Sequence, residues 1–281
     1  MIKDIFLPMT ATPGDDDALT HAIAMASRFQ AHLTVLEPVS LPQPTIDPWG
    51  LTPEPSMLAI YDELRETGNR NAAKLRTRLE KEGISWEVRL EESMLQEPSH
   101  LAALQARYAD LSVVGVANPD NEPSRMAQRY FEALLFESGR PVLMVPSHAA
   151  IQSAAQHVVV AWHPSQEAAR AVNDALPLMS AAASVDVVRI RERPGEAEGE
   201  EDPDLRAISL HLARHDLDVN MVSKPLIVES VALTLLRHCR ESGAQLLVAG
   251  GYGHSRAREW LLGGATRTLL RAAHLPVLFA H

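Results

Sequence analysis

Short apolar runs recur along the chain, separated by stretches in which apolar residues return every three or four positions. The runs suit strands buried on both faces, and the stretches between them suit amphipathic helices. In the first half the pattern predicts strands near 4–9, 33–38, 85–91, 111–116 and 141–145, with helices over about 15–30, 57–82, 97–109 and 123–138. The second half gives strands near 158–162, 185–190, 217–222, 246–249 and 277–280, with helices over about 166–181, 203–215, 229–242 and 264–273. Regular alternation of strand and helix implies an α/β fold with a parallel sheet covered on both faces.

The two halves repeat one another. A slide of 135 residues lays ADLSVVGVAN (109–118) on AQLLVAGGYG (244–253) and RPVLMV (140–145) on LPVLFA (275–280). A slide of 153 lays IFLPMTAT (5–12) on VVVAWHPS (158–165). The 18-residue difference falls on the Pro-rich stretch of the first half. Two copies of one five-stranded unit account for this, with domains at 1–147 and 156–281. Proline density argues that 38–56 is a long surface excursion rather than helix or central strand, with Trp49 available to pin it. The acidic stretch 191–204 is its shorter counterpart, and either could border a ligand crevice at the carboxyl ends of the strands or simply be a solvated loop.

Residues 245–281 hold the densest candidate chemistry. Strand 246–249 ends on Gly250, Gly253 follows, and after nine intervening residues Gly263 and Gly264 open a helix. Glycines let backbone N–H groups approach phosphate oxygens, and a helix start adds unpaired amides and a favourable dipole. A tight turn followed by a packed helix explains the same residues without a ligand. Within the first copy the corresponding positions read Gly115, Asn118, Gln128 and Arg129, so only the second half retains the glycine pattern. His254, Arg256 and Arg258 lie inside the nine-residue gap, where they could neutralise phosphate or be solvated.

Gly250, Gly253, Gly263 and the closing HLPVLFA resemble the nucleotide-binding signature and final strand of the universal stress protein family. The family pattern usually has Ser or Thr after the third glycine. Gly264 stands there instead, followed by Ala265 and by Thr266, whose hydroxyl could substitute from the first helical turn. The resemblance implies tandem Rossmann-like domains joined through their final strands as an intrachain pseudo-dimer. It also implies an adenine nucleotide, ATP, ADP or AMP, with or without Mg²⁺, held in the second half. Ala161, Trp162 and His163 would form the other wall, His163 replacing the acidic residue many members carry; a histidine capping a strand end before Pro164 is the plain alternative. Val188 and Arg189 fall where the family holds adenine with backbone groups.

Composition narrows the classes that remain. A net charge of −10 with no basic run argues against a nucleic-acid surface. No apolar stretch reaches 18 residues, and the start reads as neither signal peptide nor membrane span. The single cysteine, Cys239, excludes an intrachain disulfide framework and favours a reducing compartment, with the cytoplasm as the default. Asp15, Asp16 and Asp17 suit the positive end of a helix dipole and solvent better than a metal. His211 and His215, four apart on a helix, could clamp a metal, but no third ligand is evident. No nucleophile elbow, Walker lysine or Cys-His signature occurs. The expected function is therefore stress response as a nucleotide-binding sensor or adaptor with little turnover, as a pseudo-dimer or a homodimer of it, acting on a protein partner the sequence does not name. The alternatives are an adaptor that has lost the nucleotide, and a slow nucleotide hydrolase.

Overall fold

The computed structural model describes residues 1–43, 55–116, 125–151, 154–191, 197–198, 201–226, 230–251 and 264–281. In chain order the elements of the first half are β1 (Asp4–Pro8), α1 (Asp15–Phe29), β2 (His32–Ser40), α2 (Pro55–Leu79), β3 (Ser85–Ser93), α3 (Pro98–Ala106), β4 (Leu111–Val116), α4 (Arg125–Glu137) and β5 (Val142–Pro146). The second half continues with β6 (His157–Ala161), α5 (Gln166–Met179), β7 (Ser184–Arg191), α6 (Pro203–Ala213), β8 (Val219–Pro225), α7 (Val231–Ser242), β9 (Leu246–Gly250), α8 (Gly264–Ala272) and β10 (Val277–Ala280).

All ten strands share one sheet, ordered β3-β2-β1-β4-β5-β10-β9-β6-β7-β8. Every neighbouring pair is parallel except β5 and β10, which run antiparallel with Val142 opposite Phe279 and Met144 opposite Val277. Each half therefore repeats the same five-strand order, and the antiparallel pairing joins them. Alternation along the strands feeds two cores, one per face of the sheet. On β1, Ile5 and Leu7 enter one core while Phe6 enters the other. Helix α1 presents Ala18, Leu19, Ala22, Ile23 and Ala26 to the first core at helical spacing.

One expectation needs correcting. The excursion does not begin at Pro38: residues 38–40 are the end of β2, and Pro38 lies opposite Glu91 of β3. Leu36 O accepts from Met9 N at 2.8 Å, so even-numbered residues of β2 aim their backbone at β1. By Pro38, β1 has already ended at Pro8, and the missing N–H of proline costs no ladder bond. Helix α2 begins at Pro55; residues 44–54, Trp49 included, lie outside the described residues, as do 192–196 and 199–200 of the acidic stretch.

Candidate functional site

In each half the strand order reverses between its first and fourth strands, β1 and β4 or β6 and β9, which is where open parallel sheets place a ligand crevice. In the second half this brings Gly250, at the end of β9, beside Ala161, Trp162 and His163 at the end of β6. Trp162 N–H donates to Val188 O at 2.8 Å, tying the chain after β6 to the end of β7. Its indole packs against the first core, and Nε1 is buried without an acceptor. His163 is exposed, and its carbonyl accepts from Ser165 N at 2.7 Å. Ser165 in turn caps α5, its hydroxyl accepting from Ala168 N.

Gly250 has a reason for being glycine that involves no ligand. A Cβ there would stand 2.6 Å from Ala168 N and 2.8 Å from Glu167 C, so the first turn of α5 lies directly on the end of β9. Gly115 repeats this in the first half, where a Cβ would stand 2.0 Å from Gly14 O at the start of α1. Gly264 is different: among the described residues nothing lies within 4 Å of where its Cβ would be, and it opens α8. Ala265 is exposed beside it, whereas Thr266 is buried on the α8 face that carries Leu269 and Leu270. Gly253, His254, Arg256, Arg258 and Gly263 lie outside the described residues. Arg189 turns away to α6, its Nη1 donating to Asp202 at 2.8 Å and Asp204 at 3.2 Å. Any contribution from position 189 to the crevice thus comes from its backbone. The rings of His211 and His215 meet edge to face, centroids 4.9 Å apart. No group of three or more metal-ligating side chains occurs among the described residues.

The crevice of the first half is filled by its own side chains. Asp15 is buried rather than solvated, its carboxylate accepting from Thr10 N at 2.9 Å and Thr10 Oγ1 at 2.6 Å. Asp17, from the same triplet, accepts from His148 N at 3.2 Å. All three lie in the first turn of α1, where the helix dipole favours them, but only Asp16 stays on the surface, so solvation does not account for the triplet. Glu37, at the end of β2, is buried and accepts from Asn71 Nδ2 at 2.8 Å. Burial pushes the Asp15 carboxyl above its ordinary range despite the hydrogen bonds from Thr10. Burial and, less strongly, the charge of Asp15 do the same to Glu37, against the pull of Asn71. Tyr130 of α4 is buried nearby, its hydroxyl pushed well up by burial and then by the charges of Asp15 and Glu37. Sequence reading passed over Glu37 and Tyr130. For Tyr130 the signal available was the 135-residue slide, which sets it against Ala265; Glu37 is set against Arg189 only by the structure, where Leu36 and Val188 accept matching bonds from Met9 and Trp162.

Residues 154–281 match the model of the universal stress protein family. The C-terminal half is a universal stress protein domain. The fold of the whole chain is that of a universal stress protein from Archaeoglobus fulgidus, at 17% identity and a TM-score of 0.75, covering 98% of this chain and 97% of that one. A putative universal stress protein from Pseudomonas aeruginosa is similar at 16% identity and a TM-score of 0.60, covering 99% and 92%. The cytoplasmic domain of a prokaryotic cation chloride cotransporter shares the fold at 12% identity and a TM-score of 0.50, covering 99% and 95%. No curated protein matches the sequence. Among the described residues no helix is long and apolar enough to cross a membrane.

Proposed function

We propose that this chain is a tandem universal stress protein, with domains at 1–147 and 156–281 paired as an intrachain pseudo-dimer, that binds ATP or a related adenine nucleotide in its second half and acts as a sensor or adaptor with little turnover. The observation that carries this reading is the contrast between matching crevices. In the first, two buried carboxylates and a buried tyrosine hydroxyl lie in the crevice, and like charge and bulk oppose an anionic nucleotide there. In the second, Asp15, Glu37 and Tyr130 are replaced by Ala168, Arg189 and Ala265. That exchange removes both acids and the ring.

The described residues fit a phosphate at one point, the open approach to Gly264 at the N-terminus of α8, where unpaired amides and the helix dipole favour an anion. When bound, the nucleotide would supply the charge difference that an adaptor reads between loaded and empty states. Residues 161–163 and the backbone of 188–189 would bound the base and ribose, and Mg²⁺, where present, would arrive on the phosphates. A cytoplasmic setting accords with a free, buried Cys239.

The test is thermal unfolding of the full chain with ATP, with AMP and with neither, beside Ala265→Tyr. This variant copies Tyr130 at an exposed position and leaves the core intact. At about 100 times its dissociation constant, ATP should stabilise the parent by about 2.7 kcal/mol. The variant should keep its midpoint without nucleotide and lose most of the response. A parent unmoved by saturating ATP and AMP would replace this reading with that of an adaptor free of nucleotide.

A further inference from the structure

Away from both crevices, a small cavity opens where the halves meet on the α1 and α5 side of the sheet. Its volume is about 60 Å³, and its polar lining is His21 and Arg28 of α1 with Gln245 at the start of β9. Met25, Leu143, Leu178 and Ala155 supply apolar wall. At roughly 10–15 Å³ of such volume per water, it has room for a few waters or one molecule of four to six heavy atoms.

Around it lie one buried polar atom without a partner and two part-exposed side chains with unused donors. His21 is 94% buried, reading from its 6% exposure. Its Nδ1 lies 2.9 Å from the Asp17 carbonyl, which can only accept, so Nδ1 carries the proton and donates. In the neutral ring Nε2 is then a lone-pair acceptor, and it has no hydrogen-bond partner among the described residues. Arg28 is half-buried with its guanidinium 4.7 Å from the Phe29 ring centroid, and it has no carboxylate in ion-pair reach among the described residues. Partial burial lowers its pKa. Gln245 uses its carbonyl oxygen to accept from Gln156 N and His157 N, leaving its amide N–H₂ as the unused end.

The cavity thus offers a cation, an amide donor and one buried acceptor around apolar walls. An anion alone satisfies Arg28 and Gln245 but faces the His21 lone pair with another lone pair. A carboxylate that also carries a hydroxyl satisfies all three. We propose that this cavity is a binding site for a short hydroxyl-bearing carboxylate of the glycolate class, its carboxylate on Arg28 and Gln245 and its hydroxyl donating to His21 Nε2.

The repeat argues for a single site per chain. The counterparts of His21, Arg28 and Gln245 are Asp174, Ala181 and Asp110, by the slides of 153 and 135 residues. Two acids and an alanine repel a carboxylate, and the nearby cation Arg170 is already paired with Asp174 at 3.6 Å. The paired positions on α1 and α5 have thus diverged in charge, an imidazole at 21 and an ion-paired carboxylate at 174. The site is separate from the crevice at Gly264 and does not depend on the nucleotide reading.

Titration of the full chain with ¹³C-labelled glycolate, followed by NMR, tests the proposal, with acetate, bicarbonate and chloride at equal ionic strength as comparators. Glycolate should saturate at one per chain and bind at least tenfold more tightly than acetate, which lacks the hydroxyl. Bicarbonate, which has a hydroxyl but no carbon chain for the apolar wall, should fall between them, and chloride should not compete. Arg28→Met should abolish saturation, and His21→Phe should erase the preference for glycolate over acetate. Ala155→Leu fills the cavity from the linker and should block binding with all three polar groups intact. Far-UV circular dichroism confirms that each variant is folded. No saturable glycolate binding to the parent, equal binding of acetate, or binding that survives both Arg28→Met and Ala155→Leu would overturn the assignment.

Discussion

Gly115 and Gly250 look alike in sequence because helix α1 and helix α5 press on them alike. Each receives backbone atoms of a helix start, closer than any real Cβ contact, and backbone cannot swing aside as a side chain can. Gly115→Ala and Gly250→Ala should each cost about 3 kcal/mol or more, by overpacking, in urea unfolding without any nucleotide. Gly264→Ala, in open space, should cost less than about 0.5 kcal/mol. Sequence reading assigned Gly250 to phosphate because strand-then-glycine is shared by two causes, close helix packing and ligand approach. Its survival in the first half, where the remaining glycines are gone, was the available sign that packing requires it whether or not a ligand does.

The buried acids of the first crevice make a second residue-level prediction. Both carboxyls titrate above their ordinary values, so the folded state holds the neutral forms more readily than the unfolded chain does. Their contribution favours folding at pH below the unfolded carboxyl range, near pH 4, and is lost as pH rises through the folded values. Glu37→Gln keeps an oxygen to accept from Asn71 Nδ2 and removes the charge. Its urea midpoint should exceed that of the parent at pH 7, and the gain should vanish by about pH 3.5. A gain that is constant across this range would mean that Glu37 is not ionising within the fold.

At the scale of elements, helix α6 shows how a terminus is fixed. Asp202, 2% exposed, accepts from Asp204 N at 3.0 Å and Leu205 N at 3.1 Å while pairing with Arg189. Asp202→Ala should cost about 2–3 kcal/mol, since it removes a cap and strands a mostly buried guanidinium. Asp204→Ala, at an exposed pair, should stay within about 0.5 kcal/mol. Urea unfolding of the two variants separates these roles. The start of this helix was legible from Asp202-Pro203, a cap residue before a proline at the first helical position. The end of β2 was not, because proline signals a break in any pattern read one strand at a time. Whether its missing N–H matters depends on where the neighbouring strand stops, which only the assembled sheet shows.

The repeat made the alternation of strands and helices and the likeness of the halves legible across the whole molecule, while the pairing of final strands that fuses them into one sheet was legible only through the family resemblance. That pairing is short, three residue pairs between β5 and β10, so side chains must do much of the joining. Phe279 of β10 meets Phe131 of α4 edge to face with ring centroids 5.1 Å apart, and both are fully buried. One ring comes from each half, and edge-to-face geometry adds about 0.5–1.5 kcal/mol to the burial itself. Phe279→Ala should therefore cost about 3–5 kcal/mol. The informative quantity is where the loss appears. If the halves unfold as one cooperative unit, hydrogen exchange should show β1 and β4 losing as much protection as β6 and β9, although the substitution lies in the second half. Loss confined to 154–281 would instead mean that the sheet is continuous in geometry but divided in energy, with each half stable on its own.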